Sequence, residues 1–232
     1  MKNGFLKRLC AASLAVMMTL AASEAVLADV IQIDLDEFLN HQRLYKQNFS
    51  YVDLRSVTNR AWADDVAGDG KGGWSDQGPS NDMSCMNTYG IQTMYGINFD
   101  IINPKENNGT SCIMMKGMGD IYLQTDVTIP VNAKAKGIYF LHTAPWASDK
   151  FTDIGTYTIV FADGSEDVIK VSDGDNVFNW WGEGVSDHAV TVWTGQNSSA
   201  TVGLDMFPYS LGEEKEIKEI KVHTNGETTP YL

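Results

Sequence analysis

Along most of the chain, apolar and polar residues alternate in short runs rich in Ile, Val, Thr, Tyr and Phe, and clusters of Gly, Asp and Asn separate them. That is the pattern of antiparallel strands joined by turns. Ten runs stand out, at 51–57, 96–102, 111–117, 121–129, 137–144, 156–162, 166–172, 189–195, 201–207 and 216–224. Ten strands suit an all-β, antiparallel two-sheet β-sandwich. In "TYTIVFADGSEDVIKV" the pair Asp163-Gly164 sits between two alternating runs, and Asp-Gly readily takes the positive backbone angles of a tight hairpin. Only "DLDEFLNHQRLY" (34–45) has helical spacing, with Leu35, Phe38 and Leu39 on one side and Asp34 as cap, which predicts a short N-terminal helix. No internal repeat, linker or shift in composition marks a boundary, so residues 29–232 read as a single domain.

The first residues follow a different pattern. Lys2, Lys7 and Arg8 precede an apolar run from Leu9 to about Ala22, and "VLA" ends at Ala28. This is the layout of a secretory signal peptide over residues 1–28, so the protein is expected to be secreted, extracellular or at the cell surface. The apolar run falls short of the roughly 20 residues that span a bilayer, and no later run reaches that length, so no membrane insertion is expected.

Charge narrows the range of partners. The chain carries a formal net charge of -13, and loss of the leader, which holds three cations and one anion, brings the mature protein to about -15. Such a surface repels nucleic acid and anionic lipid, and it accepts neutral sugars and calcium. Of the cysteines, Cys10 leaves with the leader. Cys85 and Cys112 remain, and in an oxidising compartment they form either a disulfide or two buried thiols.

The stretch "AGDGKGGWSDQGPSND" (67–82) has no hydrophobic period. Its glycines lack the spacing of a phosphate loop, and no long helix follows to receive a phosphate. Its acids allow two readings. Asp64, Asp65, Asp69 and Asp76, with Asn81 and Asp82 nearby, supply oxygens on loop backbone of the kind calcium takes. The same side chains also form turns by bonding their own backbone. Trp74 likewise has two roles open to it, as a buried anchor for a polar loop or as a flat surface for a sugar ring. Trp180 and Trp181 are adjacent, and successive side chains of an extended segment point to opposite faces. One of them should therefore meet solvent.

The block "VDLRSVTNRAWADDVAGDGKGGWSDQGPSND", with "FDIINPKENNGTSCIMMKG", "IYFLHTAPWA" and the closing order "WW…VTVWTGQN…VGLDMFPY…EIKEIKVHT", resembles a bacterial β-sandwich module of the galactose-binding-like class. Such modules accompany secreted glycoside hydrolases and cell-surface proteins. The resemblance covers most of residues 50–225. It implies a jelly roll that binds carbohydrate through loops at one end or along one sheet, often with a structural calcium. On this chain the matching positions are Trp74, His142, Trp146, Trp180 and Trp181. Residues 83–95 depart from the pattern, which leaves room for another ligand or a protein partner.

Catalytic constellations are scarce. The mature histidines, His41, His142, His188 and His223, stand in no HExxH motif, and no GxSxG motif occurs. A secreted, non-catalytic protein that recognises a polysaccharide or glycan is the expected function. A cell-surface protein-interaction module is the alternative, with a glycan-active enzyme behind it. Mass spectrometry of the exported protein should show a mature chain that begins close to Asp29 and carries no lipid.

Overall fold

The computed structural model describes residues 50–70, 73–117, 123–146 and 151–226. The chain divides into two units, Met1–Leu44 and Tyr45–Leu232, and every described residue belongs to the second. The expected leader (1–28) and helix (34–45) lie outside the described residues.

The described protein is all-β with antiparallel sheets. Strands β1 (Gly90–Met94) and β2 (Ile97–Ile101) form a hairpin. Strands β3 (Asp126–His142), β4 (Asp153–Phe161), β5 (Glu166–Ser172), β6 (Val190–Gln196) and β7 (Thr201–Thr224) form a five-stranded sheet in the order β3-β7-β4-β5, with β6 also paired to β7. β7 is the hub. Its first half pairs with β6 on one edge, its second half with β4, and its opposite edge runs along β3 through both halves.

The Asp163-Gly164 signal does join β4 to β5. Gly164 takes φ 85° while Phe161 N–H donates to the carbonyl of Ser165, and the Asp163 carboxylate accepts from Ser165 N–H and its hydroxyl. Elsewhere the turn signals mean something else. The runs at 121–129 and 137–144 contribute to a single strand, β3, which begins at Asp126, and those at 201–207 and 216–224 merge into β7. The residues that read as breaks, Pro130 to Asn132 and Gly137, lie at register shifts where β3 and β7 bend together. Asn132 holds φ 49° there. A further hairpin joins β1 to β2. Tyr95 and Gly96 both have positive φ (50° and 76°), as a two-residue turn between twisted strands requires.

Two of the expected strands, 51–57 and 111–117, are not strands. Cys112 forms only an isolated bridge to Arg60, and the Asn59 side chain takes the place of a ladder by accepting from Met114 N–H (2.7 Å) and donating to Met114 O (2.8 Å).

Of the two states open to Cys85 and Cys112, the structure has the unbridged thiols. Cys112 is enclosed and its Sγ donates to the carbonyl of Arg60, while Cys85 packs against Gly195 of β6. Burial raises both thiols, Cys112 far above the usual cysteine range, which disfavours the reactive thiolate.

The interior falls into two clusters. One fills the face of the large sheet with Ile129, Phe140, Tyr157, Ile159, Phe207 and Ile220 among others. The second gathers Trp62, Trp74, Met83, Met86 and Trp180 against Val202 and Leu204 of β7. Fully burying a side chain of this size contributes about 1.5–3 kcal/mol, so these two clusters carry the fold.

Close approach of β4 to β7 depends on Gly155, where a Cβ would run into the backbone carbonyl of His223. Gly155→Ala must separate the strands and should destabilise by roughly 1–3 kcal/mol, as overpacking does. Urea unfolding monitored by tryptophan fluorescence measures that loss.

Candidate functional site

The site is built where β3 ends. Its last residue, His142, is followed by Thr143 and Ala144, and Ala144 forms a parallel bridge to Asn179. Ala144 N–H donates to Phe178 O at 3.0 Å, and Trp180 N–H donates to Ala144 O at 3.1 Å. Two residues beyond each member of this bridge stand Trp146 and Trp181. Pro145, itself buried, cannot extend the ladder, and Trp146 follows with φ 47°, which swings its side chain out. Trp146 is 53% exposed and Trp181 45% exposed. Two indole rings therefore meet solvent from segments held in parallel register.

The double tryptophan divides between core and solvent. Trp180 is 3% exposed and meets Trp74 edge-to-face, with ring centroids 4.4 Å apart and planes at 89°. Aromatic pairs of this geometry contribute about 0.5–1.5 kcal/mol beyond the area they bury. The exposed Trp181 ring lies beside that of Trp180, with centroids 5.7 Å apart and planes at 59°, and the Trp181 backbone N–H donates to the Asn179 side chain. Gly203 N–H donates to Trp180 O and fixes the segment to β7.

Three of the five positions expected to touch a sugar are enclosed, which corrects the sequence reading for them. Trp74 has no exposed surface because its loop is drawn over it: Trp74 N–H donates to Ala61 O, and Gly73 sits too close to Ala63 for any side chain. It is the anchor of the glycine-rich stretch. Trp180 is its partner in that core. His142 is 1% exposed, stacked among Phe140, Tyr157 and Phe207. Its Nε2 lies 2.8 Å from the carbonyl of Asn176, which can only accept, so Nε2 carries the proton and Nδ1 accepts from the Tyr157 hydroxyl at 2.6 Å. Burial lowers its pKa to about 4 and keeps the ring neutral. It is a core histidine.

The acidic loop is similarly self-contained. The Asp64 carboxylate, enclosed in the fold, accepts from Gly78 N–H (2.7 Å) and Val66 N–H (3.3 Å). Asp76 accepts from Asp69 N–H and Gly70 N–H, and Asp82 from Asp64 N–H and from Ser84. Asp65 and Asp69 are exposed. Among the described residues no three acidic, histidine or cysteine groups converge. Of the two readings open to these acids, the turn-forming one describes what the oxygens of Asp64 and Asp76 do in this structure.

One functional group escaped the sequence reading. Asp205 lies in "VGLDMF", where both faces of β7 are buried, and an acid inside such a run is the signal that would have marked it. Its Oδ2 accepts from Phe178 N–H at 2.8 Å and its Oδ1 from the Thr191 hydroxyl at 2.7 Å, while Thr191 Oγ1 accepts from Gly184 N–H. This carboxyl thus ties both ends of the loop bearing Trp181 to the central strand. Burial, with the neighbouring Asp173 adding to it, raises its pKa to about 7.

No protein-family model and no curated protein matches the chain. Among the described residues no helix is long and apolar enough to cross a membrane.

The Asp205 shift has a definite sign. A carboxyl whose folded pKa exceeds its unfolded value holds its proton more tightly in the folded state, so it favours folding increasingly as pH falls from about 7 toward 4. Wild type should therefore gain stability relative to Asp205→Asn across that interval. Urea titrations of both proteins at pH 4 to 8 should show the gap widening on the acid side.

Proposed function

We propose that this is an exported, non-catalytic carbohydrate-binding protein, a jelly-roll sandwich of the galactose-binding-like kind, that holds a glycan against Trp146 and Trp181. The observation that carries the reading is the exposed ring pair, brought out by segments in register while the neighbouring Trp180 is driven inward. Exposed aromatic surface on so acidic a protein is a liability unless a ligand covers it. Indole faces stack on the C–H faces of a sugar, and exposed Asn179 and Glu183 beside Trp181 offer partners for hydroxyls. The net negative charge favours a neutral glycan over an acidic one. A structural calcium at Asp64, Asp65, Asp69 and Asp76 is a separate proposal, tested by whether calcium or chelator moves the melting curve.

A second reading has its own support. Phe151 and Val185 are also exposed, and Phe151 N–H donates to the carbonyl of Asp173. Those side chains enlarge the apolar surface beyond what two stacking rings need, as a protein partner at the cell surface requires.

The deciding experiment is a glycan array, followed by affinity electrophoresis on polysaccharides, with the exported protein. Binding without turnover supports the glycan reading, product release points to an enzyme, and silence on every glycan favours the protein partner. Trp146→Ala and Trp181→Ala should each weaken glycan binding by about 1–3 kcal/mol, by analogy with base stacking, with unchanged far-UV circular dichroism.

A further inference from the structure

The segments that carry the exposed rings have a one-sided charge pattern. From Val171 to Glu214 the chain contains no lysine or arginine, and none occurs from Gly137 to Asp149, while acids recur at Asp173, Asp175, Glu183 and Asp187. The fold gathers these segments. Phe151 N–H donates to the carbonyl of Asp173 and Asp173 N–H to that of Thr152, and the Ser186 hydroxyl donates to the carbonyl of Asp175. Together with the Ala144–Asn179 bridge, these bonds tie the chain around Trp146 and Trp181 into one rim.

Several of the charges in and behind this rim are already matched. Lys170 Nζ lies 2.7 Å from Asp153, and His188 Nδ1 lies 2.7 Å from Asp175, so the second pair carries either no net charge or one negative charge. Asp173 and Asp205 are buried. Behind Trp74, Arg60 is committed to the carbonyls of Asn59 and Gly70, and Lys71 stands in a loop with Asp65, Asp69 and Asp76 that is acidic on balance. Asp149 and Lys150, outside the described residues, supply one charge of each sign. Glu183 and Asp187 are left over. Both are exposed, and neither carboxylate has an ion-pair or hydrogen-bond partner among the described residues. Each residue of chain spans at most about 3.6 Å, so the Glu183 backbone lies within roughly 7 Å of that of Trp181.

An indole face attracts a cation, and a free carboxylate close by attracts it as well. A neutral sugar uses the ring alone, and an acidic sugar is repelled by the carboxylates. A sugar with an ammonium group on its ring uses both at once, whereas a lysine side chain brings the charge without a sugar face to stack. We propose, on the reading of Trp146 and Trp181 as a glycan platform, that the platform selects a glycan with free amino groups, whose protonated amines are held by the indole faces and by Glu183 and Asp187.

Isothermal titration of the exported protein at pH 6 with three β-1,4-linked hexamers that differ only at C2 tests this: glucosamine, N-acetylglucosamine and glucose. The glucosamine hexamer should bind at least tenfold more tightly than either of the others, and that ratio should collapse in about 0.5 M sodium chloride, which screens exposed charge. Glu183→Gln combined with Asp187→Asn should narrow the ratio at least fivefold, while Glu213→Gln, farther along β7, should leave it unchanged. Trp181→Ala should weaken binding of the glucosamine hexamer. Hexalysine should bind at least tenfold more weakly than the glucosamine hexamer. The amine preference is overturned if the acetylated or glucose hexamer binds as tightly, if hexalysine does, or if the paired carboxylate variant, correctly folded, keeps the wild-type ratio. A glycan array that yields a ligand while all three hexamers stay silent leaves the platform standing and removes the preference. Silence of array and hexamers alike removes both.

Discussion

Everything in the large sheet depends on the pairing of one strand. β7 exchanges hydrogen bonds with β3 along one edge and with β6 and then β4 along the other, so no two of those three are joined except through it. Its sequence reflects the demand. Residues 202–207 are buried without interruption, as in a strand covered on both faces, whereas 216–222 alternate toward solvent. Gly212 with φ 74° lies between these two stretches. Asp205 sits in the doubly covered half, and its tie to Phe178 and Thr191 extends the hold of the strand to the loop that displays Trp181.

The class of fold was legible because alternation is a direct consequence of the pleat, and the β4–β5 hairpin was legible because Asp163-Gly164 has few other uses. Strand number was not. Proline, asparagine and glycine serve both turns and bulges, and only the partner strand decides which, so the breaks at Pro130–Asn132 and Gly137 became bends in one strand. The β1–β2 hairpin was missed because its first turn residue is Tyr95, a residue that rarely accepts a positive φ. Conversely, 51–57 and 111–117 have the composition of strands, yet 54–57 forms a turn and 111–114 is held by the backbone of Asn59 and Arg60 and by the Asn59 side chain, which no periodicity reveals.

At the site the sequence was informative wherever local geometry governs. One of the adjacent tryptophans was expected to meet solvent, and Trp181 does so while Trp180 is buried, although a bend at Trp180 keeps their rings 5.7 Å apart. It was silent wherever a distant segment governs. Trp74 is covered by residues 61–63 and abuts Trp180, and the Asp64 oxygens are used by Gly78 and Val66, neither of which spacing alone could show. Asp64 and Asp76 form part of the internal framework of a loop that the buried Trp74 anchors.

The place of β7 in the chain also governs when the sheet can form. It is the last of the described strands, and it pairs with partners far back in sequence; Asp126 and His223, linked by a hydrogen bond, are 97 residues apart. Closing such loops costs entropy before any contact repays it, so folding is expected to be slow compared with a fold of local contacts. During synthesis, β3, β6 and the β7-facing edge of β4 have no ladder partner until residues 201–224 emerge. For that interval the protein presents open strand edges, and the risk of mispairing is concentrated there.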